Sequence, residues 1–215
     1  MDRRVGEGKV KIFDGRPIPV FPLPSVVLFP RIVQPLHIFE PRYIEMLIEA
    51  LDSHGLIALA LLKPGYENDY FGSPEIHPVV SVGNIVTYQA RDDGTYDIVL
   101  LGEKRARLER EIEGRIYRRG VLIELEERQP HSAEGRKNLR LNMEALLDIA
   151  LQDMEDEHSG LAKLQKSFAE ESSVGFLVDF LAYHFIKDME FQQTLLEELD
   201  VTLRARHLLD ALSAS

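Results

Sequence analysis

Among the residues of this chain able to do chemistry, cysteine is missing altogether, and the seven histidines are scattered. The absence of Cys excludes thiolate nucleophiles, disulfides, Cys-ligated zinc and iron–sulfur clusters. No His-Glu-x-x-His helix pattern, Gly-x-Ser-x-Gly elbow or paired metal-ligand spacing occurs. Gly8-Lys9 is followed by Val10, with Arg3 where a phosphate-binding loop needs its first Gly, so ATP hydrolysis is not expected. The acids Asp153, Glu155, Asp156 and Glu157 could hold a divalent cation, but such a run more commonly marks a solvated helix end. Lys104, Arg105, Arg107, Arg110, Arg115, Arg118 and Arg119 would suit a phosphate backbone. Glu103, Glu109, Glu111 and Glu113 interrupt them, as on a solvated strand face. The expectation is a protein with no catalytic residue, no metal and no cofactor.

The 215 residues suit one large domain or two small ones, long enough to bury a core without staples. Hydrophobic residues make up 45% and charged residues 28%, as in ordinary globular proteins. The net charge of −11 disfavours nucleic acid and anionic membranes as partners. It is unevenly placed. Residues 1–120 carry 16 basic and 17 acidic side chains, whereas 121–215 carry 9 and 19. No secretory signal or membrane-length apolar run is visible, so a cytoplasmic setting is expected.

The first half reads as strands around one helix. Ile57 to Leu62 is an apolar run suited to a strand buried on both faces. Gly83 to Ala90, the turn Asp92-Asp93-Gly94-Thr95, and the alternating Tyr96, Ile98 and Leu100 predict a hairpin. Ala106 and Leu108 alternate with Arg105 and Arg107, predicting a strand with one wet face, and Val121, Ile123 and Leu125 predict another. Pro41 opens a helix near 41–53 whose apolar face is Tyr43, Met46, Leu47, Ala50 and Leu51. Beyond Pro130 the period becomes helical. Ser132, Ser173, Asp188 and Asp200 are candidate caps, with a short turn through Leu161, Leu164 and Phe168. The expected division is a flexible tail over 1–14, a β-rich part over 15–128 and a helical part over 129–215.

Pro19 to Tyr43 is rich in proline, which removes donors and restrains the preceding residue. It is expected to be an extended segment wrapping the edge of the β core rather than a central strand. Phe21-Pro22-Leu23-Pro24-Ser25-Val26-Val27-Leu28-Phe29-Pro30, then Pro35-Leu36-His37-Ile38-Phe39-Glu40-Pro41-Arg42-Tyr43, resembles the amino-terminal domain of Lon protease. The chain is similar to the stand-alone proteins that carry this domain without the protease. Val82-Gly83-Asn84-Ile85-Val86, Asp93-Gly94-Thr95 and Leu101-Gly102-Glu103-Lys104-Arg105 resemble the family's second block, an inner hairpin ending in a Gly-x-x-Arg turn. Asn84 stands where the family usually shows Thr. Leu195 to Val201, with Arg204 and Leu208, resembles the close of its helical part.

The resemblance implies an α+β fold, a PUA-like β pseudo-barrel followed by a helical bundle. It also implies a non-catalytic role in capturing protein substrates. The family's Ser–Lys pair belongs to a further domain, and no serine here has its flanking motif. Phe29, Pro30, Pro35, Phe39, Glu40, Arg42 and Tyr43 are read as structural: Glu40 sits near the positive end of the helix that Pro41 opens, and Arg42 pairs with a nearby acid.

The candidate peptide-binding residues are Tyr66, Tyr70 and Phe71, in a polar loop rich in turn residues. Loop aromatics bury much area at low entropic cost, although they could equally fold back over the β core. The leading expectation is a module that binds unfolded or extended polypeptide, by apolar burial together with hydrogen bonding at a sheet edge, in company with a protease or chaperone. The alternatives are a small-molecule-binding regulatory domain with a pocket between barrel and bundle, an RNA-binding PUA-like domain, and a hydrolase with no legible motif.

Overall fold

The computed structural model describes residues 15–69, 72–153 and 174–214. The chain divides into two compact units, Met1–Leu125 and Glu126–Ser215. The expected tail over 1–14, the acidic run from Glu155 to Glu157, the turn from Leu161 to Phe168 and the Ser173 cap lie outside the described residues.

The first unit holds β1 (Ile18–Leu23), β2 (Val33–Ile38), α1 (Pro41–Asp52), β3 (Leu56–Leu61), a 3-10 turn (Tyr66–Asp69), β4 (Val79–Ala90), β5 (Tyr96–Glu111) and β6 (Arg118–Glu124). They form one mixed six-stranded sheet in the order β2-β5-β4-β3-β1-β6. β5 also pairs with β6, so the pairing of β5, β4, β3, β1 and β6 returns on itself. β1 and β3 run parallel and the other pairs antiparallel. The strands enclose Ile18, Val20, Leu56, Ala58, Ala60, Val80, Val82, Ala106 and Leu122. β3 is buried throughout, so it reads as an unbroken apolar run.

Two expectations about the prolines part company here. β2 is the edge strand, but β1 lies inside the sheet in spite of Pro19 and Pro22. The stagger of its partners explains this. β6 pairs with Ile18–Val20 and β3 with Val20–Leu23, so only Val20 has neighbours on both sides. Each proline therefore sits where one side of the strand is open, and its missing donor breaks no ladder.

The second correction concerns Gly102 to Arg105. They form no turn but lie inside one 16-residue strand, β5. The register jumps from Val82–Lys104 to Gly83–Gly102, leaving Glu103 as a bulge. One edge of β5 is shared, with β2 on Tyr96–Leu101 and β6 on Ala106–Glu111. The backbone from Phe29 to Arg31 crosses the gap: Arg31 N–H donates to the Gly102 carbonyl at 2.6 Å, and Gly102 N–H donates to Ile32 at 2.8 Å. Arg105, expected on a wet face, is 2% exposed, with its guanidinium 6.0 Å from the Phe29 ring centre.

A Cβ on Gly102 would collide with the Phe29 carbonyl. Gly102→Ala is therefore expected to cost about 2 kcal/mol or more, the scale of overpacking, measured as a lower denaturant midpoint.

In α1, Pro41 occupies the first turn, while Tyr43, Met46, Leu47 and Ala50 are buried. Tyr43 packs on Phe21 with ring centres 4.5 Å apart, joining the helix to β1. Gly55, at φ 70°, closes the helix by donating to the Ala50 carbonyl.

The second unit holds α2 (Ala133–Asp153), α3 (Val174–Phe185), α4 (Met189–Glu197) and α5 (Val201–Ser213). The side chains of Ser132, Asp188 and Asp200 accept from the backbone N–H groups of the first turns that follow them. Leu139, Met143 and Leu146 of α2 are buried with Leu177, Val178, Leu181, Leu195, Leu196, Val201, Ala205 and Leu208. Arg128 lies parallel to the start of α5, donating to Leu199 at 2.8 Å and accepting from Val201 at 3.1 Å.

Under that bridge Arg204 is fully buried. It is paired with Asp179 at 3.3 Å and with Glu127, and donates to the Glu198 carbonyl at 3.1 Å. Removing it leaves Asp179 buried without its cation. Arg204→Ala should cost about 3–5 kcal/mol, the scale of a broken buried pair, and show as early melting of the helical signal.

Candidate functional site

The sequence-marked residues fall in four places. Tyr66 is half-buried against the β core, over the cluster that includes Leu62, Ile76 and Val80. Tyr70 and Phe71 lie outside the described residues. Phe29 is buried, and with Pro30 it forms the backbone crossing over Gly102. Glu40, Arg42 and Tyr43 stand at the start of α1, where Glu40 caps no N–H with its side chain but takes Arg42 Nε at 3.0 Å. The Arg42 guanidinium lies 4.6 Å from the Tyr43 ring centre. Pro35 on β2 and Phe39 just after it occupy a separate surface.

That surface follows from the two-residue period of a strand. Val33, Pro35 and His37 are exposed, whereas Gln34, Leu36 and Ile38 are partly or fully buried. Phe39 continues the outward row at 61% exposure, and Val33 is at 54%. Val33 stands opposite Leu101, Pro35 opposite Val99 and His37 opposite Asp97, so half-buried Leu101 and Val99 widen the row into an apolar patch. At its end the His37 and Phe39 rings stack at 6.0 Å, and Asp97 accepts from His37 at 2.8 Å and from Arg91 at 2.6 Å. Arg91 foremost, then His37, holds the Asp97 carboxyl below its ordinary range. The patch is therefore apolar along β2 and ionic at one tip. Val33, Val99 and Leu101 escaped the sequence reading, although Val33, Pro35, His37 and Phe39 already alternate in the sequence.

A cleft of about 200 Å³ lies elsewhere on the same unit. Pro22, Tyr43, Leu62, Pro74, Ile116 and Tyr117 give it apolar walls, and Arg42, Arg115, Arg118, Glu111 and Glu113 also line it. Its arginines are already neutralised. Arg118 donates to Glu111 at 2.6 and 3.0 Å and to the Pro74 carbonyl at 2.5 Å, Arg115 pairs with Glu49 at 2.8 Å, and Arg42 pairs with Glu40. The cleft thus offers shape and apolar surface rather than uncompensated charge.

The Tyr117 ring is buried beside it. Burial above all, then the neighbouring Glu49 carboxylate, pushes the Tyr117 phenol well above the ordinary tyrosine range, although no contact of its hydroxyl is short and straight enough to be a hydrogen bond. Burial also raises Tyr183. A phenol raised on folding supports the fold fully below its unfolded value of about pH 10, and that support is lost as pH climbs through the folded value. Spectrophotometric titration should therefore show late-ionising tyrosines among the seven, and Tyr117→Phe should remove one of the late steps.

Among the described residues no three histidine, aspartate or glutamate side chains gather in a metal-holding group, and no helix is long and apolar enough to cross a membrane.

The structure superposes on the N-terminal domain of Mycobacterium avium complex Lon protease with a TM-score of 0.73, at 20% identity, covering 92% of this chain and 98% of that one. On the Lon N-terminal domain protein from Xanthomonas campestris the TM-score is 0.61, at 21% identity and 91% and 98% coverage. Residues 17–214 match the family described as the ATP-dependent protease La (LON) substrate-binding domain. The chain belongs to that family. It is 28% identical to Lon protease 1 of Bdellovibrio bacteriovorus over 203 residues, and 24% identical to Lon protease of Desulfosudis oleivorans over 189 residues. These alignments cover 91% and 88% of this chain but only 24% and 23% of the relatives, so the chain spans about a quarter of their length.

Proposed function

We propose that this chain is a non-catalytic polypeptide-recognition module that holds unfolded or extended segments of client proteins for proteolysis or quality control in the cytoplasm, without nucleic acid or membrane as partner. The observation that carries this reading is the exposed apolar row of Val33, Pro35 and Phe39, flanked by Val99 and Leu101, in a chain of the LON substrate-binding family. Apolar side chains left in water on a soluble surface favour a partner that buries them. The flat strand face suits an extended chain better than the compact cleft does. The closed circuit of five strands reads as a PUA-like pseudo-barrel, with β2 laid on it as a sixth strand. Tyr70 and Phe71, with Tyr66 at the root of their loop, are proposed as a second contact for the same client.

Burying one large apolar side chain contributes about 1.5–3 kcal/mol, which is about tenfold or more in affinity. Titration of the protein with a permanently unfolded polypeptide should therefore show that Phe39→Asp and Val33→Asp each weaken binding at least tenfold while the circular dichroism spectrum stays unchanged. Weakening only by Tyr66→Ala, Tyr70→Ala and Phe71→Ala would move the site to the loop. No binding at high micromolar concentration would sink the proposal.

A further inference from the structure

Among the described residues, β2 is the one strand of the sheet with a single neighbour. Its other edge is unpaired among the described residues, and which backbone groups face outward can be read from the bonds around it. Gly102 donates to the Ile32 carbonyl, so residue 32, and by alternation Gln34, Leu36 and Ile38, turn their backbone groups toward β5. Val33, Pro35 and His37 then turn theirs away. The Pro35 carbonyl agrees, because its partner is the side chain of Gln34, which donates from Nε2 at 2.9 Å. The free edge therefore presents N–H and carbonyl groups at Val33 and His37. Between them stands a proline that has no N–H and whose carbonyl is already occupied.

We infer that the client is bound by strand addition to this edge, as a short extended segment anchored on the backbone of Val33 and His37, with alternate side chains laid on the Val33–Phe39 row. The inference rests on the polypeptide-binding reading above and names the class of segment that fits it. The anchors are four residues apart, about 13 Å, which is the length of about five client residues. The segment must be free of proline at its β2-facing positions, β-prone, and apolar at every second position. Pro35 and the Gln34 side chain keep this edge from being a full template, so the added strand is held at two points and is released readily.

A second copy of the chain fits the edge poorly. A six-residue strand buries far less than the roughly 800 Å² per partner of a stable interface. Two chains of net charge −11 also repel.

The test uses the full chain and synthetic peptides of about seven residues alternating Val and Thr, each carrying one backbone N-methyl group. Strand addition predicts a period-two pattern, in which methylation of the β2-facing amides weakens binding at least tenfold and methylation of the intervening amides leaves it within about twofold. Pro35→Val, which restores an outward donor, should strengthen binding of the unmethylated peptide at least threefold. A scan that is flat, with affinity unchanged in Pro35→Val, would overturn strand addition while leaving binding by side-chain burial intact. Sedimentation of the protein as a dimer that excess peptide leaves intact would overturn it in favour of a second copy.

Discussion

The sheet unit depends on one strand sharing a single edge between two partners. β5 gives Tyr96–Leu101 to β2 and Ala106–Glu111 to β6, and between them the Phe29–Arg31 backbone crosses over Gly102. The absence of a side chain at Gly102 lets the crossing come into hydrogen-bond range, and the bulge at Glu103 lets the strand bend there. Once β5 has bent, its second half reaches β6 and the circuit of five strands closes. The first half is left carrying β2 outside that circuit. The lone edge is thus a consequence of closure: five strands satisfy one another, and the sixth has no partner on its far side among the described residues.

That geometry places apolar surface in water. Val33, Pro35 and Phe39 point outward because Gln34, Leu36 and Ile38 must point inward, and a one-residue slip would exchange the two sets. The charged residues of the same unit are largely spent on one another. Arg42, Arg115 and Arg118 around the cleft all have carboxylate partners. Among the described residues, the apolar row of Val33, Pro35 and Phe39 remains exposed beside these spent charges. The helical unit is held differently. One buried arginine, Arg204, donates to the Glu198 carbonyl and joins α3, α5 and Glu127.

Much of this was legible in the residue order. The helix opened by Pro41, the hairpin at Asp92–Thr95 and the caps at Ser132, Asp188 and Asp200 are local features, set by proline geometry, turn chemistry and side chains short enough to reach their own backbone. The buried run of β3 was legible for the same reason. The misreadings all involve long-range pairing. Pro19 and Pro22 argued against an internal strand, and only the stagger of β3 and β6 makes them tolerable. The family resemblance implied a turn over Gly102 to Arg105, whereas the glycine there makes room for a crossing chain inside a continuous strand. Arg105 read as wet because alternation says which residues share a face, not whether another segment covers it.

The candidate site divides along the same line. The sequence by itself determined the alternation of Val33, Pro35, His37 and Phe39, the lack of cysteine, the lack of a phosphate loop and the family resemblance, since each depends only on which residues stand near one another in the chain. It drew attention to Tyr66, whose ring packs on the β core. Only the tertiary structure decided that β2 has one neighbour, that Val99 and Leu101 extend its outward row, and that Pro35 and Gln34 leave Val33 and His37 as the open backbone positions. Exposure of an apolar row and freedom of a strand edge are set by strands distant in sequence, whose arrangement follows from closure of the sheet rather than from any local preference of β2.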